Sequence, residues 1–422
     1  MAKYSIIIPV RNAARYLPTC VETVLSQPYS DFELIISNNH STDGTGAYLD
    51  ALEHPNLKKV MPPEPCCMSE HFEWALAQAT GEWLIFLGAD DGLLPYFFEL
   101  ADTLTACADK KHIRAIMSRR AYYFWPGCER FYGNTCVSYF AVNRVEVRHS
   151  LLGILNALFG IGFYFDLPQM YSNALFHRSL IHDAIKKQGR VFTSITPDAN
   201  LAALACGLET RYLFSYIPLG WVGASPASNG FSVSVASISY GAAGTAQNEQ
   251  KNRSNDFFTL NDKSGLRYDA RLGNPRLSSS RFLFLDVLYK TEKLRSEALN
   301  RLFSAKFLLS LVIAKEYEEA GRDVARIENV KTVSSNLGVR WTCCRTLSPL
   351  ISLISFAFKA RRRFRDFLCR LPGAGHLSYH CDESRGMTDA AQHITHELRR
   401  KKIFFHRFRP SDNEDNISGG RQ

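Results

Sequence analysis

No unbroken run along these 422 residues reaches the roughly 18–20 apolar residues that a bilayer-spanning helix needs. The nearest, Leu151–Phe165 (LLGILNALFGIGFYF), stops short and contains three glycines, so it is expected to be buried and not inserted in a membrane. Disulfide-like spacing is missing as well. The 11 cysteines are odd in number, and Cys66-Cys67 and Cys343-Cys344 are sequence neighbours, an arrangement that suits reduced thiols in a cytoplasmic protein better than a stapled secreted scaffold. A secretory leader is not expected either, because Met1–Lys3 leads straight into the strand-like Tyr4–Ile8. Charge of one sign is absent over most of the chain. The formal charge is +9, yet from Trp341 onward 15 Lys+Arg face 8 Asp+Glu, so that segment alone carries +7. A near-neutral body with a basic appendage is implied, and no nucleic-acid partner. The 46% hydrophobic and 22% charged fractions are ordinary for a globular chain. The length allows more than one domain, and no internal repeat is present.

The first half alternates strand and helix signals. Ser5–Ile8 ends at Pro9-Val10-Arg11-Asn12, and a helical pattern follows with Leu17, Cys20, Val21, Val24 and Leu25 on one face. Phe32–Ile36 is a second strand run, followed by the polar turn Ser37–Gly44. Helices are predicted over Gly46–Leu52 and Ser69–Ala79, and a strand over Glu82–Leu87. Further on come a strand at Tyr171–Phe176, helices at Ser179–Lys187 and Pro197–Cys206, and a strand at Arg211–Ile217. Gly223–Gly244 reads as a flexible loop. Helices are then expected over Arg281–Lys290, Ser296–Ala314 and Leu347–Phe367, and disorder over Pro410–Gln422. Such alternation predicts an α/β class with a largely parallel sheet covered on both faces. Ligands of open α/β sheets bind at the carboxyl ends of the strands, which singles out Pro9–Asn12, Ser37–Asp43 and Gly88–Gly92.

Within the third of these loops, Asp90-Asp91 follows a hydrophobic strand. Two adjacent carboxylates at a strand end raise one another's pKa, and a divalent ion with oxygen ligands, itself able to grip phosphates, offsets that cost. An ordinary solvated Asp-Asp-Gly turn is the bland alternative. Glu70, His71 and Glu73 fall on one helix and are expected to be solvated. His376, His380, Cys381, His393 and His396 match no standard zinc spacing and are set aside.

Three segments carry a resemblance to a known family. Ser5-Ile6-Ile7-Ile8-Pro9-Val10-Arg11-Asn12, then Phe32–Thr45 (FELIISNNHSTDGT), then Gly81–Pro95 (GEWLIFLGADDGLLP) are similar to glycosyltransferase family 2, the GT-A group. The similarity covers roughly the first hundred residues and extends more weakly to about Gly230. It implies a GT-A catalytic domain over residues 1–245, with nucleotide-sugar binding in 1–110 and the acceptor side in 111–245. A helical basic region would follow over 246–409, then a tail over 410–422. By position, Pro9, Arg11 and Asn12 would line the nucleotide pocket. Asn39 would contact the base with Asn38 beside it, and Asp90 and Asp91 would hold Mn²⁺ or Mg²⁺ on the donor diphosphate. Two departures stand out: Asn38-Asn39 replaces the usual Asp-Asp, and Gly88-Ala89 replaces the usual leading acid.

Asp198 is the expected catalytic base. Thr196 suits an N-cap and Pro197 the first helical position, and a helix N-terminus favours an ionised carboxylate. In the family such an acid removes the acceptor proton, so transfer from a UDP- or other NDP-sugar would invert configuration. Ser228 and Asn229 resemble an acceptor-side turn. The setting implied is polysaccharide or lipopolysaccharide assembly in the cytoplasm or on the inner face of the membrane, with a saccharide or lipid-linked acceptor.

For residues 347–366 two readings remain open. Ser348, Ser352, Ser355, Lys359 and Arg362 form a polar stripe at helical spacing, apolar residues fill the rest, and arginines follow. The segment either lies on an anionic membrane or packs on the body. An inactive carbohydrate- or nucleotide-binding module is the alternative to an enzyme. A nucleotidylyltransferase would need a Gly-rich, Arg-bearing loop that Pro9–Asn12 does not supply.

Overall fold

In β1 (Tyr4–Val10) every residue is buried, which only a strand covered on both faces allows. The computed structural model describes residues 1–128, 137–226, 266–274, 277, 279–368, 377–380 and 386–401. After β1 come β2 (Phe32–Asn38), β3 (Leu57–Val60), β4 (Trp83–Phe86), β5 (Gly92–Leu93), β6 (Ala115–Ser118) and β7 (Ala121–Phe124). These are followed by β8 (Val137–Ala141), β9 (Val145–His149), β10 (Ala174–His177), β11 (Arg211–Ser215), β12 (Gly220–Ala224) and β13 (Leu377–His380). The helices are α1 (Leu17–Leu25), α2 (Thr45–Ala51), α3 (Met68–Ala77), α4 (Phe97–Lys110), α5 (Ser150–Leu158), α6 (Arg178–Gln188) and α7 (Pro197–Leu208). The later ones are α8 (Ser280–Lys290), α9 (Glu297–Ser304), α10 (Lys306–Ala320), α11 (Val324–Asn336), α12 (Trp341–Leu368) and α13 (Met387–Arg400).

Eight strands form one sheet in the order β3-β2-β1-β4-β10-β6-β11-β9, and five form a second in the order β13-β8-β7-β12-β5. The α/β class with a helical C-terminal part is as expected. The sheet is more mixed than the sequence suggested. β3, β2, β1 and β4 run parallel, but β10 lies antiparallel between β4 and β6, and β9 is antiparallel to β11. Alternate residues of one strand reach opposite sides: Ile7, Ile35, Leu84 and Phe86 join one core, whereas Ile6, Ile8, Leu34, Ile36 and Ile85 join the other.

Both cores cross residue 245. Residues of α8, α10 and α11 share the first with Ile7 and Phe86, and Met387, Ala391, Ile394 and Leu398 of α13 share the second with Leu17 and Val21. Packing therefore does not separate 1–245 from 246–409. Three boundaries also shift for local reasons. α7 passes through Gly207, where a Cβ would stand 2.9 Å from the Leu294 carbonyl oxygen; close approach, not termination, calls for the glycine. The expected single helix over Ser296–Ala314 is two, α9 and α10. Gly223 and Ala224 belong to β12, while the rest of the supposed loop to Gly244, like 410–422, falls mostly or wholly outside the described residues.

Helix α12 begins six residues earlier than expected and continues through Pro349. Its first 21 residues, Trp341–Arg361, are long and apolar enough to cross a membrane by length and composition alone, although polar residues interrupt every apolar run within them. It packs along α10 with Cys344, Ser348, Ile351 and Ser355 buried. Ser355 Oγ donates to the Phe159 carbonyl at 2.8 Å. Leu353 (65%) and Phe356 (68%) are among the apolar side chains left exposed.

Candidate active site

The loops after β1 and β2 are laced together. Asn12, at φ 53° in the left-handed region, accepts from the Thr42 backbone N–H at 2.7 Å through Oδ1, and its own N–H donates to Ser41 Oγ at 2.9 Å. Asn38 Oδ1 accepts from the Ser41 N–H at 3.0 Å. Asn39, 2% exposed, uses both ends of its amide on one residue: Nδ2 donates to the Cys66 carbonyl at 2.8 Å and Oδ1 accepts the Cys66 N–H at 3.1 Å. A carboxylate has no N–H to give Cys66, which accounts for an amide here. The amide expected to contact the base is tied to Cys66 through one N–H and one lone pair. Pro9 is buried within β1, opposite Ser37. Arg11 is exposed beside this loop pair.

Two residues expected to be solvated are anchors. His71 is 3% exposed and its Nε2 lies 2.9 Å from Ser37 Oγ; burial pushes its pKa down to about 4. Glu73 accepts the backbone N–H groups of Val191 and Phe192 at 2.8–3.1 Å. Helix α3 is thus tied to the segment that leads to Asp198.

After β4 the chain turns through Gly88-Ala89 to Asp90-Asp91. Asp91 is 2% exposed; its Oδ2 accepts the Gly88 N–H and its Oδ1 the Gly223 N–H, both at 2.7 Å. Asp90 accepts from Ser225 Oγ at 2.7 Å through Oδ2, and its carbonyl accepts Trp125 Nε1–H at 2.9 Å. Gly223 is obligatory, since a Cβ would lie 1.8 Å from the Asp90 carbonyl oxygen. Burial raises the pKa of both acids, and the Asp90 charge raises that of Asp91 further.

Asp91 thus acts first as a clamp joining β4 to β12, and Asp90 is the acid better placed to reach a ligand. Among the described residues no three His, Cys, Asp or Glu side chains gather as a metal cage. The donor set nevertheless fits Mg²⁺ or Mn²⁺ bound in the manner that uses one or two carboxylates plus substrate phosphates, because a cation would offset the cost of two adjacent buried carboxylates.

Asp198 stands at the head of α7, with Pro197 in the first helical position; Thr196 occupies the N-cap without a side-chain cap bond. The preceding loop is pinned by Asn200, whose Oδ1 accepts from the Thr193 and Ser194 N–H groups and whose Nδ2 donates to Val191 O. Asp198 Oδ2 accepts the Tyr164 hydroxyl at 2.8 Å. The helix N-terminus was expected to hold this acid ionised. Burial instead dominates and raises its pKa, although Tyr164, the Ala199 N–H and Arg120 pull it back.

Fold and charge bring these acids to one place. Tyr171 feels the charges of Asp198, Asp91, Asp90 and Arg120 together, and burial, followed by those acids, raises its pKa. Arg120, just beyond β6, acts electrostatically on Asp91, Asp198 and Tyr164. Its Nε is buried without a hydrogen-bond partner, and its guanidinium lies 4.9 Å from the centre of the Phe165 ring. Sequence reasoning missed Arg120, Tyr164 and Tyr171. The tandem Arg119-Arg120 after a strand was a visible signal; the left-handed φ of 77° at Tyr171 was not. Ser228 and Asn229 lie outside the described residues.

The described site is thus a pair of acids at the end of a sheet strand together with a further acid at the head of a helix. Residues 5–119 match Glycosyl transferase family 2. A PGL/p-HBAD biosynthesis glycosyltransferase of Mycobacterium bovis (strain BCG / Pasteur 1173P2) is 36% identical over 108 residues, 25% of this chain and 40% of the relative. The O-antigen biosynthesis protein RfbC of Myxococcus xanthus is 38% identical over 90 residues, 21% of this chain and 7% of its own. The chain spans less than half the length of the curated relatives it matches. Among solved structures, S. aureus TarS in complex with UDP-GlcNAc aligns over 80% of this chain and 93% of its own at 16% identity and a TM-score of 0.41.

Proposed function

We propose that the protein transfers a sugar from a nucleotide-diphosphate-sugar, a UDP-sugar in the first instance, to a hydroxyl of a saccharide or lipid-linked saccharide, with inversion at the anomeric carbon. The observation that carries this is the Asp90-Asp91 pair, held after β4 by Gly88, Gly223 and Ser225, with Asp198 held by Tyr164 and near enough that Tyr171 feels all three charges, in a chain whose residues 5–119 match Glycosyl transferase family 2. Asp198 removes the acceptor proton. Burial raises its pKa toward the operating pH, which favours a general base. Tyr164 holds the carboxylate in place through its 2.8 Å bond. Arg120, with an unpartnered Nε, is placed to receive negative charge as the nucleoside diphosphate leaves. Asp90, supported by Asp91, would hold Mg²⁺ or Mn²⁺, which when bound supplies further neutralisation of that diphosphate. Pro9, Arg11 and Asn12 form the nucleotide side, with Asn38 and Asn39 shaping its floor through Ser41 and Cys66. Attack from the face opposite the departing group needs no covalent enzyme intermediate. The setting is assembly of a cell-surface polysaccharide or lipopolysaccharide on the cytoplasmic side.

One observation favours a second reading, an inactive binding module of the same fold: Gly88 stands where the family has a leading acid. Metal-dependent release of UDP from UDP-sugars without acceptor separates the two. The proposal expects release that Asp90→Asn suppresses. A panel of nucleotide sugars that binds, raising the melting temperature, and yet yields no free UDP or transfer would establish the module instead.

A further inference from the structure

Helix α12 is inside out. Its packed face is made of small and polar groups, Cys344, Ser348 and Ser355 with Ile351, all buried, and Lys359 on that side acts on Glu319 of α10. The opposite side carries Leu350, Leu353, Phe356, Phe364 and Phe367, all exposed, with Phe358 exposed on its flank. An amphipathic helix that merely covered the body would turn that face inward, because burial of each such side chain is favourable. Here the small residues sit against α10 instead, which lets the two backbones come close. The exposed apolar surface is on the order of 500 Å², since an aromatic side chain offers ~150–250 Å². A contiguous patch of that size on a soluble surface marks an interaction site.

The surrounding charge identifies the partner. Arg345 precedes the apolar face, and Arg361 and Arg363 follow it, all exposed; the sequence adds Arg362 and Arg365 against the single acid Asp366. Aromatic and aliphatic side chains flanked by arginine are complementary to the boundary between acyl chains and anionic headgroups. We propose that the outward face of α12 docks this protein on an anionic membrane, with the helix lying in the plane of the surface. Although Trp341–Arg361 is long enough to cross a bilayer, a crossing would strip α12 from α10, expose the buried Cys344, Ser348, Ile351 and Ser355, and break the bond from Ser355 to Phe159. That bond also joins the docking helix to the segment carrying exposed Phe163 and then Tyr164, which holds Asp198. A docked protein thus turns the acid toward a lipid-linked acceptor. This last consequence rests on the transferase reading; the docking does not.

The test is sedimentation of the full chain with phosphatidylcholine vesicles, with and without phosphatidylglycerol. Docking expects co-sedimentation that phosphatidylglycerol strengthens and salt weakens. Leu353→Ser/Phe356→Ser should lower the partition coefficient at least about ten-fold, and Arg361→Glu/Arg363→Glu should remove only the part due to phosphatidylglycerol. Melting temperatures of both variants should stay near the parent's, which keeps misfolding apart from lost docking. Three outcomes overturn the proposal. One is a wild-type chain that stays in the supernatant with both vesicles, including the case in which it is a dimer that Leu353→Ser/Phe356→Ser dissolves. Another is unchanged sedimentation of that variant. The third is membrane-bound protein that resists alkaline carbonate, which would mean a spanning helix. Acceptor-free UDP release, followed in parallel, does not depend on docking, so failure of one reading is distinguishable from failure of the other.

Discussion

The strand-end loops and helix α12 both bury polar side chains, for opposite reasons. At the cleft, Asp91, Asn39 and His71 are buried because partners await them: two backbone N–H groups, the amide edge of Cys66, and the Ser37 hydroxyl. Along α12, Ser348 and Ser355 are buried because they are small, and each helical hydroxyl can bond a nearby carbonyl at little cost. Polarity in the interior therefore has two meanings in one molecule. In the first case it fixes the geometry of the strand-end loops, and in the second it permits close packing while the apolar groups face out.

The sharpest way to break this comparison is at the cleft. Asp198→Asn should lower the transfer rate by about 10²–10⁴-fold and leave the melting temperature equal or higher, because a carboxylate whose pKa burial has raised destabilises the fold when ionised. For the parent, the acid limb of kcat/KM should lie above the ordinary aspartate value of about 3.9. A limb at or below that value, or a variant with full activity, would remove Asp198 from its role.

The pH dependence of stability comes next. His71 is neutral in the fold, its pKa lowered from 6.5 to about 4 by burial, so the unfolded chain binds the extra proton. Its contribution is fully present above pH 6.5 and is lost as pH falls toward 4, a cost of at most about 3 kcal/mol. Denaturant titrations of parent and His71→Gln across that window should differ in slope, and parallel curves would show that His71 does not titrate as stated.

Asn39→Asp should cost about 1–3 kcal/mol in the same titration, since it turns a carboxylate toward the Cys66 carbonyl. An Asn39→Asp variant as stable as the parent would return the residue to direct ligand contact. The smallest effects belong to α12. Ser355→Leu, on the packed side, should cost about 1–3 kcal/mol by overpacking, whereas Phe356→Ser should stay within ~0.5 kcal/mol. A reversed order would mean that the helix packs through its aromatic face.

Much of the first half was legible because its signals are local. Tyr4–Val10 and Phe32–Asn38 each hold an apolar core, Ile6–Ile8 and Leu34–Ile36, within an almost wholly buried strand. The polar residues right after them lie at strand ends, and Pro197 announced the start of α7. The antiparallel insertion of β10 was not legible, because strand direction depends on where the chain returns from and leaves no mark in periodicity. Glu73 and His71 read as solvated because helical position alone does not reveal that Val191 and Ser37 lie within reach. In α12 the polar stripe was plain in the sequence, but which side faced the body was not.

By itself, then, the amino-acid order marked β1, β2, β4, β10 and β11, the resemblance to family 2 and the places of Asp90, Asp91 and Asp198 after a strand or at a helix start, since each depends on neighbours a few residues away. Tertiary structure alone decided that Asp91 clamps β12, that Asn39 serves Cys66, that Arg120 and Tyr171 stand among the acids, and that α12 turns its phenylalanines outward. Those outcomes depend on which distant backbone groups come within hydrogen-bonding or van der Waals range, and only the folded chain settles that.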